Sequence, residues 1–499
     1  MRGLRGLASL MLALAVPALA TPMVAVPTAA QKQIEEQLTA LEALAAKGDT
    51  KGALAMTGRL LATQPDGSPG QALLMKLRTG LLVELGRDAD VVIAVEAMLD
   101  RDIKVEPAEL NEMADAAQRS AQPFKVAKAL QIYAERFPDR VRAGGLRWEF
   151  VAAALNALRS VDGNAANQAL TLALFDAGYA ADHDFGGVTF IEQQAIDGLI
   201  AQGRIGEAAA RLDRMVDVRN LAGMAVDRRY EALWPALEAA LGPGMAKGIA
   251  RNLGWMQQAF DADPDSHLTR QSYVHQLIWR GSPQKAVALS ENILTTPGAI
   301  AASGRYGWWL VVANGDALGA AGQPDGGLQR YRQLNAAIPA GSGVRIDTMI
   351  DEAAFASRNG LSADALESVA RARRLEDISP YGEGHLLQAK ACALHRLGRD
   401  TEAAPVIAKI EAAPQNNRGA SLDAMLCVGH FEPAEALVLA VLADPERRTD
   451  MLLRLQGIEL QKHDKALAAP MATLAARPAV AAAIARHGRT LPAALRPGR

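Results

Sequence analysis

The sequence predicts an all-α fold, an α-solenoid of stacked helix–turn–helix hairpins wound into a right-handed superhelix. The main observation is a repeat, because glycines recur at intervals close to 38 residues, as Gly322, Gly360 and Gly398 do. A second observation is that aromatic residues make up only 4% of the chain, which is low for a β-sandwich. Apolar residues make up 50% of the 499 residues, enough for a large core and too much for a disordered chain.

The first twenty residues have the three parts of a secretory signal peptide. Arg2 and Arg5 give a positive start, a ten-residue run that is apolar apart from Ser9 follows, and a small-x-small cleavage site ends at Ala20. As a helix the apolar run would rise about 15 Å, half of the hydrocarbon core of a bilayer. We therefore expect a signal peptide over 1–20 that is cleaved, with 21–30 as a loose leader. An uncleaved membrane anchor is the other interpretation.

This signal predicts a periplasmic protein, with secretion or peripheral attachment to a membrane as alternatives. No later stretch reaches 18 uninterrupted apolar residues. We therefore expect no transmembrane segment after cleavage.

Each repeat marker is a glycine with an alanine five residues later. Glycine adopts the left-handed conformation that ends a helix without steric cost, so the first helix of a hairpin is expected to end there. The alanine lies in the second helix, where a small side chain lets the two helices approach closely. The pairs are Gly48/Ala53, Gly203/Ala208, Gly281/Ala286, Gly360/Ala365, Gly398/Ala403 and Gly429/Ala434.

Other residues occur at fixed positions relative to the marker glycines and follow the same spacing of about 38 residues. An apolar or small residue precedes these glycines by four positions, as Leu394 precedes Gly398. Gly86 and Gly203 lie 117 residues apart, three times 39, so the repeat is expected to continue where the marker is absent. Prolines end second helices, at Pro65, Pro138, Pro297, Pro339 and Pro414.

This pattern resembles the tetratricopeptide repeat family. Ala391 with Leu394 matches the first helix of the family's unit, Gly398 its turn and Ala403 its second helix, and Pro414 lies near its terminal proline. The resemblance is best in 31–65, 190–220, 266–298 and 345–440. The bulky Trp of the family's first helix is absent from most units, and the mean period is longer. The resemblance implies an interaction protein with no catalytic activity.

We expect one α-solenoid over 31–464, a C-terminal capping helix over 465–488 and a flexible tail over 489–499. The string Asp227-Arg228-Arg229-Tyr230 interrupts the repeat. It is interpreted as a lid or a special junction, or else as a helix N-terminus held by local ion pairs.

Charge and motifs exclude several functions. The 53 basic and 55 acidic residues give a net charge of −2, so no basic field would attract nucleic acid. The nucleotide-binding, serine-nucleophile and zinc-protease motifs are absent, and no two histidines have the i, i+4 spacing of a helical metal site. We therefore expect the protein to have no enzymatic activity and to bind neither a cofactor nor a metal.

Two cysteines fall in the first helices of adjacent hairpins, which pack side by side. Cys392 and Cys427 are 35 residues apart, about one repeat. An oxidising periplasm would permit a disulfide between them, and two buried free thiols are the alternative.

Tryptophan placement is uneven, since five of the six lie between Trp234 and Trp309. Such a cluster on the concave face of a solenoid would serve as a binding groove, although packing between repeats is the ordinary interpretation. The candidate ligand-binding residues are Tyr273, Trp279, Arg305, Tyr306, Trp308 and Trp309.

The sequence therefore predicts an exported, non-catalytic scaffold that binds a protein or peptide on its concave face. The alternative is a helical-repeat component of polysaccharide export or cell-wall machinery, in which the aromatic residues stack on the sugar rings of a glycan.

Overall fold

The computed structural model describes residues 36–37, 39–41, 43–44, 46–179, 185–375, 378–458 and 465–496. The predicted signal peptide, the leader and the last three residues of the predicted tail lie outside these ranges. Within them every regular element is an α-helix or a short 3₁₀ helix, which confirms the all-α class. The chain divides into two compact units, residues 1–182 and 183–499.

Unit 1 is a series of helices, most of which pack against the next one along the chain. Its helices are α1 (Thr50–Leu61), α2 (Pro69–Glu84), α3 (Asp88–Asp100), α4 (Pro107–Arg119), α5 (Pro123–Arg136), α6 (Pro138–Arg142), α7 (Trp148–Ser160) and α8 (Asn164–Ala177).

Unit 2 begins with a less regular stretch and continues as hairpins. Its helices are α9 (Phe185–Ala201), α10 (Ile205–Ala209), α11 (Val218–Val226), α12 (Trp234–Leu241), α13 (Ala246–Ala262), α14 (His267–Trp279), α15 (Pro283–Ser290), α16 (Pro297–Ala302), α17 (Gly304–Ala320), α18 (Pro324–Ala337), α19 (Val344–Arg358), α20 (Ser362–Ala372), α21 (Pro380–Arg396), α22 (Asp400–Ala412), α23 (Arg418–Cys427), α24 (Phe431–Ala443), α25 (Arg448–Leu455), α26 (Ala468–Ala475) and α27 (Pro478–His487).

The predicted turns are confirmed. Gly398 has φ +70° and follows α21, and the other five marker glycines also have positive φ. The N–H of Arg399 donates to the carbonyl of Leu394 over 2.9 Å, which satisfies a carbonyl at the helix end. The same bond closes the turns at Gly203, Gly281 and Gly360. The residue four positions before the glycine is apolar or small because its side chain is buried, as Leu199, Ala356 and Leu394 are.

The stretch without marker glycines keeps the same turn with other residues. Ala121 (φ +54°) and Asp162 (φ +52°) take the left-handed conformation between Gly86 and Gly203. The following residue donates to a carbonyl of the preceding helix in each case, over 2.8 Å. The predicted continuation of the repeat through this stretch is confirmed.

The alanines of the second helices are buried at the contact with the first helix, as predicted. Between α17 and α18 a glycine takes this place. A Cβ on Gly327 would lie 2.4 Å from the Phe355 ring, so no larger residue fits between α18 and α19 there.

Unit 2 also contains contacts between parts of the chain more than 200 residues apart. Successive contacts run from α11 through α13, α14, α17, α19 and α21 to α23, and α25 then packs against α11. The Arg454 guanidinium joins α25 to α23 by binding the carbonyl of Gly419 and the carboxylate of Asp423. The helices therefore form a closed ring. We call the contact of residues 218–245 with residues 448–458 and 465–496 the closure.

Repeats of a solenoid ordinarily contact only their neighbours along the chain, and the closure departs from this pattern. Asp227, at the end of α11, is fully buried there. Its carboxylate accepts hydrogen bonds from the Arg229 guanidinium (2.9 Å) and the Thr449 hydroxyl (2.6 Å), and the Arg448 guanidinium lies 3.4 Å away. The string 227–230, which interrupts the repeat, is thus a special junction.

Burial acts to raise the pKa of Asp227, but hydrogen bonds from Arg229 and Thr449 outweigh it. The pKa therefore lies below its ordinary value, and the carboxylate stays charged at neutral pH. A charge of this kind is stable in the interior only while its partners remain in place.

The end of the chain completes the closure. Residues 465–488 form two helices, α26 and α27, where the sequence predicts one. Residues 489–496 of the predicted tail are packed, with Leu491 and Leu495 buried. The Arg489 guanidinium lies 4.2 Å from the centre of the Trp234 ring and donates to the carbonyl of Ala225 over 2.6 Å. This cation–π contact and hydrogen bond hold the C-terminal segment on α11 and α12.

In the part of the chain that the structure describes, no single helix is long and apolar enough to cross a membrane. The pair α26 and α27, bent by 79° at the break between them, meets that criterion only when the two helices are taken together.

We expect Asp227→Asn to lower the free energy of unfolding of the protein by about 3 kcal/mol, because it removes the buried carboxylate that Arg229 and the half-buried Arg448 share. Urea unfolding followed by circular dichroism measures this. Glu231→Gln is the control, since it removes an exposed ion pair with Arg228 and should cost less than about 1 kcal/mol. Equal effects of the two variants would contradict a central role of Asp227 in the closure.

Candidate functional site

The aromatic residues that the sequence nominates lie on α14 and α17. Tyr306 and Arg305 are exposed near the start of α17, with Tyr306 52% accessible. Trp308 and Trp309 are half-buried against the core between α17 and α18, and the Trp308 indole donates to the carbonyl of Ile300 over 2.8 Å. These two tryptophans therefore contribute to packing between hairpins.

The two candidates on α14 are also part of the packing. Trp279 stacks on His275, with ring centroids 5.9 Å apart, and packs against the core between α14 and α17. The Tyr273 hydroxyl donates to the side chain of Gln257 over 2.7 Å. The six candidates thus do not form one continuous exposed aromatic surface. Their role in ligand binding stays a prediction.

A cavity of about 580 Å³ lies beside the closure. This volume is within the range of small-ligand and peptide side-chain pockets. Its lining comes from α11, α21, α23, α24 and α25, so the closure creates it. The lining residues are Arg219, Tyr381, Arg418, Gly419, Val441, Arg447, Asp450, Met451, Leu453, Arg454 and Ile458.

Three helices, each of nine residues or more, begin at the cavity. Arg219 is the second residue of α11, Tyr381 is the second of α21, and Arg418 is the first of α23. The N-terminal end of a helix carries a partial positive charge. The positive helix ends and the arginine side chains therefore both favour the binding of an anion.

Asn417 fixes the starts of α21 and α23. Its side chain accepts a hydrogen bond from the N–H of Ala420 and donates to the carbonyl of Tyr381, each over 3.1 Å. A Cβ on Gly384 would lie 2.6 Å from the Cβ of Asn417, so the close approach of these two helices requires glycine. Tyr381 and Arg418 are thus held on one side of the cavity.

The arginines of the cavity differ in their partners. Arg447 pairs with Asp444 at 2.9 Å, and Arg454 binds Asp423. Arg219 pairs with Asp450 at 3.1 Å, but this pair is exposed, with 53% and 74% of the two side chains accessible.

Arg418 is half-buried, and no residue in the described ranges forms an ion pair with it. The interior side of the cavity is apolar, with Val441, Met451, Leu453 and Ile458 buried. The Tyr381 ring is 61% accessible and rests edge-on against His385. The cavity thus joins an arginine-rich opening to an apolar floor.

Sequence reasoning missed this cavity. Its residues come from positions 219, 381 and 418–458, and only the closure brings them together. The interruption at 227–230 was the one sequence signal near it.

A second group of titratable side chains lies between α17 and α19. The Tyr331 hydroxyl donates to Asp316 over 3.0 Å, and the Arg358 guanidinium lies 3.5 Å from the same carboxylate. Burial, and then the charge of Asp316, raise the pKa of the nearby Asp351 to about 7, although Arg358 acts against them. The Asp351 carboxyl group is therefore partly protonated near neutral pH.

The two cysteines lie on α21 and α23, which pack against each other as the sequence predicts. Both are free thiols. A hydrogen bond with the Cys427 thiol, together with burial, raises the pKa of the Cys392 thiol well above its ordinary value. Their disulfide stays a prediction.

The chain was compared with protein-family models, curated proteins and solved structures. No protein-family model and no curated protein matches it. The pentatricopeptide repeat protein PPR10 from maize is 12% identical, and the match covers 90% of this chain and 71% of that one, with a TM-score of 0.26.

Two further solved structures are similar at the same low level. Naa15/Naa10 bound to HypK-THB is 16% identical, covering 97% of this chain and 72% of that one with a TM-score of 0.26. The APC/C hetero-tetramer Cut9–Hcn1 is 9% identical, covering 83% and 96% with a TM-score of 0.19. The helix pairs described above make the chain a helical-repeat protein.

The free energy of unfolding should depend on pH through Asp351. Between pH 3.8 and about 7 the folded protein binds this proton more tightly than the unfolded chain, so this contribution to stability is lost as pH rises across that window. Asp351→Asn stays neutral and should remove that part of the decline. Thermal unfolding from pH 4 to 8 measures it. The exposed Asp265→Asn is the control, and an identical pH profile in both variants would refute the assignment.

We expect mild oxidation of the folded protein with a disulfide reagent to join Cys392 and Cys427. Each thiol loses one hydrogen, and the reagent's disulfide is reduced to two thiols. The raised thiol pKa should make the reaction slower than that of a free thiol at pH 7. Mass mapping under non-reducing conditions detects the linked peptides, with Cys427→Ser as the control. Recovery of both cysteines as separate thiols would contradict the expectation.

Proposed function

We propose that the protein is an exported, non-catalytic scaffold that holds a segment of a protein partner in the cavity beside the closure. Export rests on the signal-like sequence of residues 1–20. Binding rests on the cavity, which is the observation that carries the proposal. It combines an accessible tyrosine and arginines with a buried apolar floor, the side-chain types enriched where protein partners bind.

The closure supports this proposal because it fixes the cavity before a partner arrives. The cavity residues lie on helices that the Asp227 and Asn417 hydrogen bonds connect. A site that is already ordered loses little conformational entropy on binding, which favours affinity.

The lining favours binding over chemical turnover. General acid–base catalysis works best with a group that titrates near the operating pH. The polar lining consists of four arginines, one tyrosine and one exposed aspartate. Arginine stays protonated throughout the physiological range and recognises carboxylate groups through paired hydrogen bonds.

The proposal is tested by capturing partners from an extract of the source cell envelope with the mature protein. We expect Tyr381→Ala to weaken the binding of a captured protein about 10-fold, since an accessible tyrosine at a pocket edge is a typical binding hot spot. The matched control is Tyr306→Ala, which removes an exposed tyrosine from the start of α17. Quantitative mass spectrometry followed by titration with the purified partner measures both.

Three outcomes distinguish the alternatives. Loss with Tyr381→Ala but not with Tyr306→Ala supports the cavity. Loss with Tyr306→Ala alone would refute the cavity and favour the aromatic residues of α17. Capture of a carbohydrate, with no protein lost in Tyr381→Ala, would replace the proposal with the glycan alternative.

A further inference from the structure

We propose that the segment held in the cavity is acidic, a peptide stretch of the partner whose Asp or Glu carboxylates pair with Arg418 and Arg219 while an apolar side chain lies on the floor. This inference rests on the proposed function and specifies the chemistry of its ligand.

The charge of the lining carries the inference. Four guanidinium groups face one carboxylate, that of Asp450. Asp444 and Asp423 hold Arg447 and Arg454 from outside the lining. Among the lining arginines, Arg418 has no carboxylate partner in the described residues, and Arg219 has the most exposed pair, so these two are the groups best placed to meet a ligand.

Arg219 can exchange its partner at low cost. Its pair with Asp450 is exposed on both sides, and such pairs contribute only about 0–1 kcal/mol. A ligand carboxylate bound away from water would interact more strongly than Asp450 does. Arg418 has no carboxylate to give up among the described residues, so its pairing with a ligand adds a contact without breaking one.

The backbone supports the same sign of charge. The first turns of α11, α21 and α23 border the cavity, and each of these helices is at least nine residues long. Gly419 is part of the lining, so the backbone at the start of α23 is accessible to a ligand. The positive ends of the α21 and α23 dipoles add to the charge of the two arginines, whereas the start of α11 is already capped by the Asp217 carboxylate, which accepts a hydrogen bond from the Arg219 N–H over 2.8 Å.

The apolar floor distinguishes a peptide from a simple anion. Val441, Met451, Leu453 and Ile458 offer nothing to inorganic phosphate, but they would bury an aliphatic or aromatic side chain. The net charge of the whole chain is −2, so the positive charge is local to this cavity and does not reflect a generally basic surface.

The test uses three fluorescent synthetic peptides in which apolar residues alternate with Glu, Gln or Lys. Fluorescence anisotropy with the mature full-length protein measures their affinities at low and at physiological salt. We expect the Glu peptide to bind at least about 10-fold more tightly than the Gln peptide, and the Lys peptide not to bind. Raising the salt concentration should weaken binding of the Glu peptide only.

Variants connect the result to the cavity. Arg418→Ala should weaken binding of the Glu peptide about 10-fold, and Arg418→Lys should restore part of that loss because it keeps the charge without the paired hydrogen bonds. Arg374→Ala is the matched control, since Arg374 is an exposed arginine outside the cavity. Thermal unfolding of each variant confirms that the fold is retained.

Equal affinity for the Glu and Gln peptides, or no effect of Arg418→Ala, would overturn the acidic ligand. So would complete displacement of the Glu peptide by inorganic phosphate at matched ionic strength. In either case the proposed function would still stand if the Tyr381→Ala variant fails to capture the partner that the unaltered protein captures. If no peptide binds and Tyr381→Ala loses no protein, the proposed function itself fails.

Discussion

The buried carboxylate of Asp227 is the constraint on which unit 2 depends. It is excluded from water and charged, so it is stable only while Arg229, Arg448 and Thr449 surround it. Arg229 is adjacent in the chain, whereas the other two lie on α25. One charge thus fixes the relative position of two segments more than 200 residues apart, and the cavity forms beside that contact.

The hairpins show that a repeat can persist after its sequence marker is lost. The required feature is a residue in the left-handed conformation followed by an N–H that reaches back to the preceding helix. Glycine supplies it at Gly398, and Ala121 and Asp162 supply it at some conformational cost. The feature that recurs from hairpin to hairpin is therefore a backbone geometry, which several residue types can adopt.

Local features of the fold could be predicted from the sequence, whereas the cavity could not. Turn glycines and buried alanines report on contacts between neighbouring helices, so spacing reveals them. For the same reason, the spacing predicts that Cys392 and Cys427 lie on the first helices of adjacent hairpins. Arg219 and Arg418 meet only because the stack curves back on itself, and that curvature is the sum of small rotations between hairpins that no local pattern encodes. The sequence clusters the tryptophans but does not show that Trp279, Trp308 and Trp309 are partly buried, because clustering along the chain does not determine which side chains face solvent.

A closed circle of helices constrains the evolution of this chain in a way that an open stack does not. An open array can gain or lose a hairpin at little cost, because each unit contacts only its neighbours. Here an added hairpin between α13 and α23 would displace Thr449 from Asp227 and leave a charge in the interior without partners. The geometry of the closure therefore fixes the number of hairpins in unit 2.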